Sequence, residues 1–161
     1  MRKAYFTTHP NQTKKLGKIV AKKVLKIKRK RRAQVLGLEG NLGGGKTTFL
    51  QGFAKGLGIK EKLLSPTFVI LKRFKIKDLT PHQKLRFGTG HGFKNFYHVD
   101  CYRIEKPEEI LALGFKEIIS NPQNIVAVEW ADRIQKIMPE NTIRVVFEFI
   151  NKNERKIIIR F

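Results

Sequence analysis

The chain has 161 residues, of which 41% are hydrophobic, enough for one domain with an ordinary buried core. No apolar run approaches the roughly 18 residues of a membrane span, and no apolar export segment follows Met1-Arg2-Lys3. A single cysteine, Cys101, excludes an internal disulfide or a zinc cluster, so the expected setting is reducing and cytoplasmic.

The net charge of +21 is unevenly spread. Residues 14–32 carry eleven Lys/Arg and no acid, and residues 72–94 carry seven against one acid. Together they hold 17 of the 21 excess charges, so the expectation is a near-neutral body with two basic appendages, the second an insertion.

Residues 3–8 read as a short edge strand. His9-Pro10-Asn11-Gln12-Thr13 punctuates, with Thr13 as a helix cap. Leu16, Ile19, Val20, Val24 and Ile27 then recur at three- and four-residue spacing, one apolar stripe of an amphipathic helix ending in Arg29-Lys30-Arg31-Arg32. Its remaining surface is nearly all lysine, either a solvated face or a surface for RNA or a partner. Ala33-Gln34-Val35-Leu36-Gly37-Leu38-Glu39 is a short apolar run, a buried strand.

The stretch Gly40-Asn41-Leu42-Gly43-Gly44-Gly45-Lys46-Thr47-Thr48 fits Gly, any four residues, then Gly-Lys-Ser/Thr, the phosphate-binding loop. Glycines allow the backbone to wrap an anion, its N–H groups turn inward as a nest, and the following helix adds its positive end. Lys46 is placed to reach the outer phosphates and the Thr47 hydroxyl to hold magnesium. Phe49, Leu50, Phe53 and Leu57 have helical spacing after the loop, completing the order strand, loop, helix.

Ser65-Pro66-Thr67-Phe68 reads as a turn before a strand, with Thr67 able to sense a terminal phosphate. Residues 72–94 have no periodicity and read as a long basic loop or extended hairpin. Strand character returns at Phe96-Tyr97-His98-Val99-Asp100-Cys101-Tyr102-Arg103, with His98, Asp100 and Tyr102 on one face. An aspartate at a strand end can orient a water near a γ-phosphate. Pro107-Glu108-Glu109 opens a helix running to Phe115. Ile125-Val126-Ala127-Val128-Glu129-Trp130 has the form of a Walker B strand, making Glu129 the metal-side candidate, directly or through water, and Trp130 a packing residue. Residues 143–150 and 156–161 form a hairpin around Asn151-Lys152-Asn153-Glu154.

These blocks, in this order and over almost the whole chain, resemble the TsaE (YjeE) family of bacterial P-loop ATPases. The resemblance implies ATP and Mg2+ as cofactors and a role in making threonylcarbamoyladenosine beside the anticodon of tRNA. It further implies a TsaB–TsaD partner pair, reset between turnovers by ATP hydrolysis that is weak without those partners. By position, Asn41, Leu42, Gly43, Gly44, Gly45, Lys46, Thr47 and Thr48 hold the nucleotide. Thr47 and Glu129 serve magnesium, Asp100 serves hydrolysis with Lys46 and Glu129, and Thr13 lies on the nucleotide side. Thr67 belongs to a switch-like loop. Gly44 stands where the family often has alanine, and the 72–94 segment is longer and more basic than the usual connection, so its expected role is in partner or tRNA docking.

The expected fold is a three-layer α/β, P-loop NTPase-like domain spanning 1–161, its sheet mainly parallel with a C-terminal antiparallel hairpin. Two other readings remain: a small-molecule P-loop kinase with Asp100 as base, and a basic RNA-binding module with a structural nucleotide.

Overall fold

The computed structural model describes residues 2–27, 31–64, 70–76 and 92–161. Strand β1 (Arg2–Thr7) leads into α1 (Pro10–Lys26), β2 (Gln34–Gly40) and α2 (Lys46–Gly56). Strands β3 (Leu71–Lys75) and β4 (Asn95–Asp100) follow, then the short helices α3 (Pro107–Ala112) and α4 (Phe115–Ser120). Strand β5 (Asn124–Glu129), a 3₁₀ helix (Ala131–Ile137), and the hairpin β6 (Ile143–Phe149) and β7 (Arg155–Arg160) complete the order.

The strands form one sheet in the order β1-β7-β6-β2-β5-β4-β3. The expectation of a mainly parallel sheet is corrected. Three pairings among the described residues are parallel, β6–β2, β2–β5 and β5–β4, and three are antiparallel, β1–β7, β7–β6 and β4–β3. Only crossovers through a helix return a strand in the same direction, and they build the centre. The C-terminal hairpin is not the edge, because β1 pairs outside β7. The ends of the 72–94 segment make a hairpin stem, β3 on β4 extended by Ile76 donating to the Lys94 carbonyl. Residues 77–91 lie outside the described residues, as do 65–69 with Thr67.

Apolar residues on the two faces of the central strands feed two cores. Leu36, Leu38, Ile125, Ala127 and Phe96 point to α1 and α2, while Val35, Val126, Val128 and Val99 point to α3, α4 and the 3₁₀ helix. Alternation in the strands thus produces three layers. A chain of rings ties α2 to the sheet: Phe53 lies 5.7 Å from Phe96, Phe96 5.9 Å from Phe74, and Phe49 edge-on 5.8 Å from Phe147.

Helix α1 starts earlier than expected. Proline is tolerated at the first helical position, so Pro10 opens the helix, and His9 caps it by accepting the Asn11 N–H on Nδ1 at 3.2 Å. Thr13 is therefore a buried first-turn residue rather than the cap, its hydroxyl 2.9 Å from that of Thr7 on β1. The helix ends at Lys26, before Arg31 and Arg32; residues 28–30 are not described. Within the expected stripe Ile19 is 44% exposed, and Gly17 and Ala21 take the contact instead. The single helix expected from Pro107 is broken at Gly114, which has φ 79°, into α3 and α4.

Helices α1 and α2 touch backbone to backbone. A Cβ on Gly52 would stand 1.9 Å from the Lys14 carbonyl oxygen, and one on Gly17 2.1 Å from that of Phe49. Gly52→Ala gains about 1 kcal/mol of helix propensity, but the clash with fixed backbone outweighs it, at roughly 2–3 kcal/mol or more for overpacking. The variant is expected to melt roughly 2–8 °C lower by circular dichroism.

Candidate functional site

Strand β2 delivers its C-terminal end into the loop at Gly40, whose φ is 132°. A side chain there would press on the Phe147 carbonyl, 2.4 Å from a Cβ, so only glycine fits. Gly43 and Gly45 turn the chain with φ of 73° and 99°, and Gly45 leads directly into α2. Unlike α1, this helix has no side-chain cap on its first N–H groups. The uncapped N-terminus opens on a cleft of about 550 Å³ lined by Leu42 to Thr48 and by Ile70, Asp100, Tyr102, Arg103, Glu129 and Trp130. Orphan donors and the helix's positive end face that cleft, an arrangement suited to an anion.

Lys46 is buried at the loop's centre. Its Nζ donates to the carbonyls of Gly40 at 2.6 Å and Asn41 at 2.9 Å, and lies 3.8 Å from the centre of the Trp130 ring. Burial pulls its pKa below the ordinary 10.5, while Glu129, Asp100 and Asp132 pull the other way. Thr47 donates its hydroxyl to the Glu129 carboxylate, 2.9 and 3.1 Å from the two oxygens. Glu129 is 3% exposed and ends β5 beside Asp100 at the end of β4, the two being register partners. Asp100 Oδ1 accepts the Tyr102 N–H at 2.9 Å, fixing the turn that ends the strand.

The structure therefore brings Lys46, Thr47, Asp100 and Glu129 to one cleft. Asn41 contributes its carbonyl to Lys46 and to the Gly44 N–H. Thr13 lies across the loop, in a second hollow of about 280 Å³ that shares Gly43, Gly45 and Thr48 and adds His9, Lys152 and Arg155. Among the described residues no group of three or more His, Cys, Asp or Glu is arranged to hold a metal ion by itself. A cation between Thr47 and Glu129 would have oxygen donors from the chain and need the rest from phosphate and water, which is how magnesium is usually held.

Two contributors were not assigned from sequence. His98, 1% exposed, places Nε2 2.9 Å from Glu129 Oε1, so the carboxylate is held from both sides. Trp130 does more than pack: its φ of 60° is unusual for a bulky residue and turns its ring over Lys46. Tyr102 stands 5.1 Å from that ring, and Arg133 lies 5.7 Å from it while donating to the Ile104 carbonyl. The signals were present, a histidine two before the strand-end aspartate and a tryptophan directly after the acid, but neither spacing states a partner.

Removing His98 leaves a buried carboxylate one donor short. His98→Ala is expected to lose about 1–3 kcal/mol in urea unfolding, with His98→Gln recovering part. Cys101 is buried beside Asp100, and burial with that charge pushes its thiol up to about 12. At pH 8 the thiolate fraction is then about 1 in 10⁴. Iodoacetamide should label the native chain slowly until the pH nears that value, and rapidly once it is unfolded, as read by mass spectrometry.

Comparison with known proteins gives a consistent picture. The family model for "Threonylcarbamoyl adenosine biosynthesis protein TsaE" matches residues 7–157. The tRNA threonylcarbamoyladenosine biosynthesis protein TsaE of Bacillus subtilis is 35% identical over 151 residues, 94% of this chain and 80% of that one. The protein of the same name from Haemophilus influenzae is 30% identical over 135 residues, 84% and 75% of the two chains. The crystal structure of Bacillus subtilis YdiB is similar with a TM-score of 0.70 and 30% identity, covering 99% of this chain and 84% of that one. A match that starts at the end of β1 and runs into β7 takes in the loop, both strand-end acids and the layers that hold them, and by it this chain belongs to the TsaE family.

Proposed function

We propose that this chain is a magnesium-dependent ATPase of tRNA threonylcarbamoyladenosine biosynthesis, built on a P-loop NTPase-like fold and acting on a TsaB–TsaD type partner complex. The observation that carries the reading is the meeting of Thr47 and Glu129 at 2.9 Å, at the mouth of a loop whose amides are uncapped. Without a catalytic purpose, a carboxylate left only 3% exposed against a helix start would be a costly way to hold two elements together.

The amides of residues 43–48, at the positive end of α2, bind the phosphate chain. Lys46 transfers its Nζ from the carbonyls of Gly40 and Asn41 to an outer phosphate oxygen, and the phosphate charge offsets the burial that lowers its pKa. Thr47 and Glu129 would hold Mg2+, Glu129 directly or through water, with His98 keeping the carboxylate aimed. Magnesium, when bound, neutralises charge on the phosphate oxygens during transfer. Asp100, one strand from Glu129 at the same level, orients the attacking water. Thr13 and the hollow beyond Gly45 accommodate the nucleoside end. The basic segment between β3 and β4 modulates docking of the partner or tRNA.

The test is ATP hydrolysis by the purified chain with Mg2+, alone and with a TsaB–TsaD pair of verified activity. The expected result is a low rate that the pair raises, and that Lys46→Ala lowers by ~10²–10³-fold. No stimulation by the pair would reject the tRNA-modification assignment. A metabolite that accelerates ATP use and becomes phosphorylated would replace it with the small-molecule kinase.

A further inference from the structure

Strand directions assign each basic group an end of the sheet. The loop and both acids sit at the C-terminal ends of β2, β4 and β5. At the opposite end β1 and β6 begin and β7 finishes, and there the register opposes Arg2 to Arg160 and Arg160 to Arg144. Directly opposed residues share a face and stand about 5 Å apart. Three arginines thus form a row across three adjacent strands.

Opposed like charges destabilise a sheet, and little here relieves them. Arg2 and Arg160 are exposed, with no acidic partner among the described residues. The Arg144 side chain is 42% exposed, and its acidic contact among the described residues is Glu39, at 3.9 Å. The second core, which covers this face over β2, β5 and β4, draws no residue from β1, β6 or β7. On the same face as Arg2, Phe6 is 61% exposed, four residues or ~13 Å along the strand.

The same end receives further charge. Helix α1 starts beside Gly45 and runs away from it, so its exposed Lys23 and Lys26 arrive at the same end of the sheet but on its other face, and exposed Arg31 and Arg32 precede β2. Lys23 Nζ lies 5.7 Å from the ring of Phe161, next to Arg160. Glu140, in the turn before β6, and Glu39 are the nearby counterweights.

We infer that this end of the sheet, remote from the phosphate loop, is an RNA-binding surface whose cross-strand row Arg2–Arg160–Arg144 takes the phosphate backbone. Guanidinium forks match phosphate oxygens in pairs, and a polyanion removes the repulsion that the row carries alone. Three guanidinium groups spread over about 10 Å of uncovered sheet suit the spaced phosphates of an RNA strand better than a lipid surface or an acidic peptide, and the 44% exposed Phe161 ring at the same end offers a surface on which an unpaired base can stack. The inference does not rest on the hydrolysis assignment, since the row lies outside that cleft.

The test uses a full-length unmodified tRNA transcript, with binding followed by fluorescence anisotropy across a salt series. Replacing all three, Arg2→Gln, Arg144→Gln and Arg160→Gln, should weaken binding at least about tenfold and make the slope of log K against log salt shallower by about 2–3. Arg→Lys at the three positions should recover the slope. The Gln variant should melt no lower than the parent and hydrolyse ATP at the parent's rate. A control, Lys14→Gln with Lys15→Gln, removes charge near the loop and should cost less affinity per charge. Unchanged tRNA binding by the arginine variant would overturn the inference, as would equal loss per charge in the control. So would a chain that binds phosphatidylglycerol vesicles but no tRNA.

Discussion

Everything in the cleft depends on one buried carboxylate. Glu129 is almost fully removed from water, which disfavours a charge unless hydrogen bonds replace the lost solvent. Thr47 and His98 supply them from two other elements, so α2, β4 and β5 are locked together at a single pair of oxygens. Because those partners come from a helix start and a neighbouring strand, the acid's position is fixed by the fold rather than by a loop. Preorganisation of this kind is what places a charged group before a ligand arrives.

The second constraint is the lack of side chains between α1 and α2. Glycine at 17 and 52 lets the two backbones meet, and that contact sets how far α2, and with it the phosphate loop, stands from the sheet. Thr13, one turn before Gly17, then lies 3.8 Å from where a Gly45 side chain would begin. The same helix pair that buries Leu16, Val20 and Val24 also builds one wall of the hollow beyond the loop. Stability and site geometry are here a single packing problem.

Much of this was legible in the chain. The loop and the strand before it, the acid ending an apolar run, and the C-terminal hairpin each carry a local signal that survives folding. What was not legible was pairing. Period two put His98 and Asp100 on one face but could not say that β5 would lie beside them, so the His98–Glu129 contact stayed hidden. Strand direction was lost for the same reason: nothing local in residues 2–7 says that they will run antiparallel to residues 155–160. Thr13 was misread because a proline taken as punctuation opened the helix instead. Trp130 was read as packing because its left-handed backbone, not its identity, turns it toward Lys46.

The pairing of β1 with β7 joins the first described strand to the last. A ribosome releases Arg2–Thr7 long before Arg155–Arg160, so β1 must wait, unpaired, until residues 155–160 have been made. Contacts of such sequence separation form late and slow folding. The side of the hollow that Thr7 and Arg155 supply is therefore among the last parts of the molecule to mature, and a chain interrupted before residue 155 would carry its phosphate loop with only the wall that α1 gives.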